Sequence, residues 1–384
     1  MLKLRNFVRC ACAALLSGAI HLGTRLEAPA QSNNSLGIQT PVRLPPFEEN
    51  RPLCTRPREL SRSLTFAQDN ERQFMQGVSK GLEIAAHARG LEYRIAIAND
   101  DAAKMLDDIR VVREAKIGAL VIAPVDPRTS APAIQEVIET GAYVGAVVPP
   151  PATSILNAPQ YLTGKVLGDA AAKYIAAKFH GRANVVLLTH DSLDALAQRF
   201  VAIRDSLATL PEVNLIADIS PATVNKAGGF ETMKTILLAH SKVDVILGAD
   251  TVVLGALQAL RAVGLDRADQ FLGGIDGEPE AIAEIKLGGP YKVTVSLAAP
   301  VFGYAMGQHA ADWLDGKVIP QAIDVLPNEL NLETIPVYES DVADPAAVYS
   351  DPAQRSRHLR MYGAICYDTR DQYLNFPWSS ERLR

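Results

Sequence analysis

The chain has 384 residues, of which 48% are hydrophobic and 21% charged, and its formal net charge is −5. Those values describe a globular protein long enough for two domain-sized cores, rather than a disordered or membrane one. The slight acidic excess leaves no basic footprint, which argues against a nucleic-acid partner.

The first thirty residues are a different material. MLKLRNFVRCACAALLSGAIHLG opens with Lys3, Arg5 and Arg9, continues with an apolar run from Cys10 to Leu22, and leads to small residues in EAPAQ. This three-part layout predicts an export signal, cleaved near Ala30. The apolar run is too short for a comfortable membrane span, and no later segment reaches about 18 uninterrupted apolar residues. Of the four cysteines, Cys10 and Cys12 fall in that segment, leaving Cys54 and Cys366 near the two ends of the mature chain. In an oxidising compartment this pair is expected to form a disulfide, with two separate free thiols as the alternative. No histidine lies at metal-ligand spacing from either, so no metal and no cofactor are expected. Residues 31–58 are rich in Pro, Asn and Ser and predict an extended or partly disordered lead-in.

From about residue 60 short apolar runs alternate with helical patterns. The runs are YRIAIAN (93–99), IGALVIAP (117–124), AYVGAVVP (142–149), NVVLLTH (184–190), VNLIADIS (213–220), VDVILGAD (243–250), QFLGGID (270–276) and KVTVSLA (292–298). Most are too continuous to have one exposed face, so they read as strands covered on both sides. FMQGVSKGLEIAAHARG places Val78, Leu82 and Ala85 on one face, with Gly90 as a stop. VLGDAAAKYIAAKFHG, ETMKTILLAH and TVVLGALQALRAVG follow the same logic, the last stopped by Gly264. In AAPVFGYAMGQHAADWLDGK, Phe302, Met306, Ala310 and Trp313 share a core face. Alternation of this kind calls for doubly wound parallel sheets. The rhythm breaks once, at ATSILNAPQYLTG (151–163), where the chain is expected to pass from one α/β domain to a second. The last fifty residues show no obvious α/β unit.

Four segments in succession carry a family likeness. GALVIAPVDPRTSAPAIQEVIETGAYVGAVV, VDVILGADTVVLGALQALRAVG, FLGGIDGEPEAIAEI and KVTVSLAAPVFGYAMGQHAADWLDGK resemble type I periplasmic solute-binding proteins of the ribose-binding branch, over roughly residues 65–326. The resemblance implies an α/β fold of two doubly wound parallel-sheet lobes joined by a three-crossover hinge, with a small-molecule ligand held between them. The expected limits are 1–30 signal, 31–58 tail, 59–155 plus 299–323 first lobe, 156–298 plus 324–335 second lobe, and 336–384 extension. It also implies a monomer in the periplasm that serves the membrane permease of an ABC importer, or else a sensor kinase or chemoreceptor.

Position by position, the polar groups of sugar-binding relatives are thinned out. The Asp-Arg pair after the third of those strands falls on Val148 and Pro149, followed by Pro150; the helix-opening arginine aligns with Ala197, although Arg199 is close by. The Asn of the Asn-Asp pair is Ala249, leaving Asp250, and the late Gln position is Leu297; Asp276 keeps the expected acid. A buried hydroxyl without a partner costs about 1–3 kcal/mol, so losing several partners disfavours a plain sugar. The expected ligand is therefore less polar and meets Phe74, Val148, Pro149, Pro150, Ala249 and Leu297, with Asp276 orienting it and Asn70, Gln73, His190 and Asp191 as replacement polar groups. An ordinary sugar in a rearranged site is the second alternative. Simpler roles compete: the prolines as a stiff connector, Asp250 as a helix N-cap, Asp126 as a turn former before a helix. Enzyme motifs are missing (no G-x-S-x-G, P-loop or G-x-G-x-x-G), and no helix-turn-helix precedes the lobes as a repressor would need. The terminal aromatics Tyr362, Tyr367, Tyr373, Phe376 and Trp378 suit either a strap packed onto the lobes or an interface.

Overall fold

The computed structural model describes residues 37–147, 151–190 and 194–380. The chain before this, where the export signal is expected, lies outside the described residues. In chain order the first lobe is built from β1 (Ser61–Gln68), α1 (Gln73–Ala88), β2 (Glu92–Ile97), α2 (Ala102–Glu114), β3 (Ile117–Ala123), α3 (Pro127–Glu139), β4 (Tyr143–Ala146) and β5 (Ser154–Asn157). The chain then crosses at Ala158 and Pro159. The second lobe follows with α4 (Gln160–Phe179), β6 (Arg182–Leu188), α5 (Ala197–Leu207), β7 (Glu212–Ile219), α6 (Lys226–Ala239), β8 (Val245–Leu247), α7 (Asp250–Ala262), β9 (Phe271–Ile275), α8 (Pro279–Lys286) and β10 (Tyr291–Ser296). A second crossing at Leu297 and Ala298 returns the chain to α9 (Ala299–Leu314) and β11 (Ala322–Val325); a third, at Leu326 and Pro327, leads to β12 (Asn328–Leu330). Beyond it come α10 (Ile335–Ala343), α11 (Pro345–Ser350), α12 (Pro352–His358) and β13 (Leu359–Tyr362).

The sheets run β13-β11-β5-β4-β3-β1-β2 and β12-β10-β9-β8-β6-β7. All neighbours are parallel except β13 against β11 and β12 against β10. Central strands such as β3 are buried at every residue, as their continuous apolar runs predict. Two runs differ: β2 and β7 stand at sheet edges and alternate between exposed and half-buried residues. Edge position, invisible to a hydrophobicity pattern, explains the difference. Two strands carry no run singled out in the sequence. SRSLTFAQ forms β1, between β3 and β2, and SILN inside the unpatterned stretch forms β5. In both, polar residues such as Ser63, Thr65, Gln68 and Ser154 are buried and mask the pattern. The same stretch also supplies the first turn of α4, which starts at Gln160.

Helix starts are written locally. Asp101 caps α2 by accepting from the N–H groups of Ala103 and Lys104, and Asp126 caps α3 through Arg128 and Thr129, with Pro127 in the first helical position. Phe302, Met306, Ala310 and Trp313 are wholly buried, and the Trp313 indole donates to the Gly141 carbonyl at 2.9 Å. α9 lies so close to α1 that a Cβ at Gly81 would stand 2.1 Å from the Pro300 carbonyl oxygen.

The carboxyl-terminal extension is more ordered than its composition suggests. β13 adds an antiparallel edge to the first sheet, Cys366 is bonded to Cys54, and Tyr373, Leu374 and Trp378 are buried. The Trp378 indole donates to the Val42 carbonyl at 3.2 Å, and Leu374 forms bridges with Ile38 and Ala152. The strap reading of these aromatics holds. β11 runs to Val325 inside the first sheet, two residues past the expected lobe limit at 323.

Candidate functional site

The carboxyl ends of parallel strands are where a doubly wound sheet leaves backbone groups and helix starts facing open space. Asp276 directly follows β9 and has φ +121°, a left-handed conformation strained for a residue with a side chain. Strain of this kind is tolerated where the surroundings over-determine the backbone. Here the Asp276 N–H donates to Val295 at 2.8 Å, and the Gly277 N–H donates to the Thr294 hydroxyl at 3.1 Å.

The Asp276 carboxylate faces Arg199, whose Nη1 is 3.7 Å away. Arg199 is 6% exposed and also donates from Nε to the Gln160 side chain at 3.0 Å. Burial lowers the guanidinium's affinity for its proton, and Asp276 opposes that shift. The Asp276 side chain remains 36% exposed. Even so, desolvation by the surrounding walls raises its pKa, against the pull of Arg199, Arg72 and His190. One solvent-reachable acid thus sits among three groups that are cationic or can become so.

Asp250 does a different job. It was a candidate N-cap, but Ala249 holds that position and no side chain caps α7. Asp250 itself is wholly buried; Tyr291 donates to one oxygen at 2.7 Å, and Thr294 and the Glu278 N–H donate to the other at 2.7 and 2.8 Å. Gly274 makes the room, because a Cβ there would meet the Asp250 Oδ1 at 1.8 Å. Burial pushes the Asp250 carboxyl up to about 7, and Glu278, half-buried beside Asp250 and Asp276, also rises to about 7. These three bonds tie the start of α7 to β10 and to Glu278, two residues past Asp276, as one wall.

The other candidates stand at strand ends and helix starts of both lobes. Asn70 follows β1 and donates to Asp100 at 2.9 Å, while its side-chain oxygen accepts from Arg72 at 3.2 Å. Arg72 also pairs with Asp69 at 2.6 Å. Gln73 is the exposed first residue of α1, and half-buried Phe74 packs its ring 5.6 Å from that of Phe302. His190 is half-buried at the end of the β6 segment and enters the field of Asp276. Ala249 is half-buried; Leu297 is 7% exposed and packs into the first lobe's core. Val148, Pro149, Pro150 and Asp191 lie outside the described residues. Asp126 lines a recess of about 660 Å³ with Arg128, Asn375 and Phe376, all groups of the first lobe and its strap, so this recess is not the space between the lobes. Cys54, Cys366 and Asp368 bring their ligand atoms within 4.8 Å of one another, but both sulfurs are spent in the disulfide.

The arginine that faces Asp276 is Arg199, two residues after Ala197, where the helix-opening arginine was expected. Ala197 is exposed, whereas Arg199 occupies the buried stripe of α5 with Ala202, Ile203 and Ser206. The signal was present in the sequence: an arginine at i, i+3 and i+4 spacing with core residues needs a buried counter-charge.

Comparison with known proteins agrees with this architecture. Residues 64–318 match the periplasmic binding protein domain family. The ribose import binding protein RbsB of Bacillus subtilis is 28% identical over 276 residues, covering 68% of this chain and 83% of that protein. Among solved structures, a periplasmic ribose ABC transporter protein from Conexibacter woesei superposes with a TM-score of 0.63 at 21% identity, covering 73% of this chain and 95% of its own. A solute-binding protein from Actinobacillus succinogenes with bound D-allose gives 0.64 at 20%, covering 72% and 99%. Two parallel-sheet lobes, three crossovers and an acid–guanidinium pair at the strand ends are thus accompanied by a match over most of the chain, and this protein belongs to the type I, sugar-binding-like periplasmic binding proteins.

Proposed function

We propose that this protein captures a small ligand that is hydroxylated at one end and less polar than a simple sugar at the other, and delivers it to the permease of an ABC importer. The observation that carries this reading is Asp276, partly open to solvent and 3.7 Å from Arg199, while half-buried Ala249 after β8 and buried Leu297 after β10 bring no polar group to the neighbouring strand ends. A carboxylate and a guanidinium recognise adjacent hydroxyls as acceptor and donor. Alanine and leucine provide no partner for further hydroxyls, whose burial would then be penalised. Phe74 and the prolines at 149 and 150 would complete the apolar side, and Asn70, Gln73 and His190 the polar rim.

A plain monosaccharide is the second reading. Arg199 favours it, because it restores one charged donor that the alignment had counted as lost. Docking on a sensor kinase or chemoreceptor would use the same closure and is a further alternative to transport. A thermal-shift panel separates the ligand readings: pentoses, hexoses and inositols against their deoxy and O-methyl counterparts and against alicyclic and aromatic compounds. The proposal expects the largest shift, of several degrees, from a partly deoxygenated or methylated polyol. A comparable shift confined to an unmodified monosaccharide would establish the second reading instead.

A further inference from the structure

We infer that the carboxyl-terminal extension is a fourth link between the lobes, one that limits how far the hinge opens. After β12 the chain attaches to the second lobe through α10, whose Tyr338 and Val342 also pack against the first lobe's core. The Ser296 hydroxyl donates to Tyr338 at 2.8 Å or accepts from it, Glu339 pairs with Lys286 at 2.6 Å, and Ile335 is buried in the second lobe's core. One residue, Asp344, separates α10 from α11, which is docked on the first lobe. There Val348 joins the first core, the Tyr349 hydroxyl bonds the His309 ring at 3.0 Å, and its ring lies 5.7 Å from that of Tyr304.

A second set of contacts closes the link. Buried Asp341 on α10 bonds the His358 ring at 2.8 Å and pairs with Arg357 at 3.0 Å, which joins α10 to the residues leading into β13 of the first sheet. His358 also holds the third crossover: its carbonyl accepts from the Leu326 N–H at 2.7 Å, and its other ring nitrogen meets the Asn328 amide at 3.2 Å. Ser296, the partner of Tyr338, directly precedes the second crossover, where Ala298 has φ +46°. The Ser380 hydroxyl donates to Asp324, which also accepts from Asn157 beside the first crossover.

Domain opening in such a fold requires backbone rotation at a few crossover residues. Every crossover here has a bonded neighbour from the extension or one residue removed from it, and α10 to α11 spans the lobes with almost no slack. Opening must stretch or detach this link, so it shifts the balance toward the less open arrangement.

The test reads the distance between lobes without ligand, so its outcome is independent of what the cleft binds. Spin labels on unnatural amino acids at the exposed positions Val111 and Leu238 leave the disulfide intact. The distance distribution is compared for the parent, Tyr338→Phe with Glu339→Gln, and Asp341→Asn, each with its melting curve. Release of the link is expected to broaden the distribution toward longer distances, by about twofold in width. The Tyr338→Phe, Glu339→Gln pair removes only one hydroxyl and one exposed ion pair, and it decides the matter even if Asp341→Asn does not fold. A distribution superimposable on the parent's in that cooperatively folded variant overturns the inference.

Discussion

Arg199 and Asp276 act on each other through their charges, and either can be used to read the other. Arg199 lowers the Asp276 pKa, which the cleft walls otherwise raise. Arg199→Gln is therefore predicted to move the Asp276 carboxyl further upward, as followed by carbon-13 titration of its side chain; an unchanged titration would separate the two groups. His309 shows the opposite kind of perturbation. Burial pushes it down to about 4 from 6.5, so the folded chain holds it neutral while the unfolded chain takes up a proton as pH falls. Its contribution to stability is complete above pH 6.5 and is lost between 6.5 and about 4, amounting to about 3 kcal/mol at most. Raised acids such as Asp250 and Glu278 have the reverse sign: stability falls as pH rises from their ordinary values of 3.8 and 4.5 to about 7, and levels off above that. His309→Gln isolates the histidine. Its stability, from denaturant unfolding, should lose less than the parent's between pH 6.5 and 4. At this scale the sequence singled out Asp276 as a candidate through its motif, but it could not show that Asp250 turns inward. Burial, and three donors from β10 and the start of α8, decide that.

Between elements, packing depends on absent side chains as much as on present ones. The α1–α9 contact needs Gly81, whose Cβ would meet the Pro300 carbonyl oxygen at 2.1 Å. Since both contacting groups are backbone, Gly81→Ala must part the helices, at a cost of about 1–3 kcal/mol. The expected result is a melting temperature several degrees lower with an unchanged circular dichroism spectrum; no change would mean the helices have slack. The core strands β3, β4, β6 and β9 were legible because continuous apolar runs leave few alternatives. Edge strands β2 and β7 were legible as strands but not as edges. β1 was missed because Ser63, Thr65 and Gln68 are polar residues buried by tertiary structure. Arg199 was within reach of periodicity, since it stands at core spacing with Ala202, Ile203 and Ser206 on α5.

For the molecule as a whole, the two lobes and their crossing near residue 158 followed from strand–helix rhythm and family likeness. The extension did not, because its short helices and single strand gain their order from the lobes they bind rather than from their own pattern. The Cys54–Cys366 bond fastens this extension across a sequence separation of 312 residues. Removing it frees a very long loop in the unfolded chain, a loss of about 2–4 kcal/mol. Reduction is predicted to lower the melting temperature and expose two thiols; an unchanged melting curve after thiol titration confirms full reduction would show the strap to be held by Tyr373, Leu374 and Trp378 alone. The ligand reading is tested most directly by calorimetric titration of the parent and Asp276→Asn with matched pairs of monosaccharides or inositols and their deoxy or O-methyl counterparts. The account predicts that the less hydroxylated member of a pair binds the parent more tightly and that Asp276→Asn abolishes binding of both. Tighter binding of every fully hydroxylated member, or binding indifferent to Asp276→Asn, would contradict it.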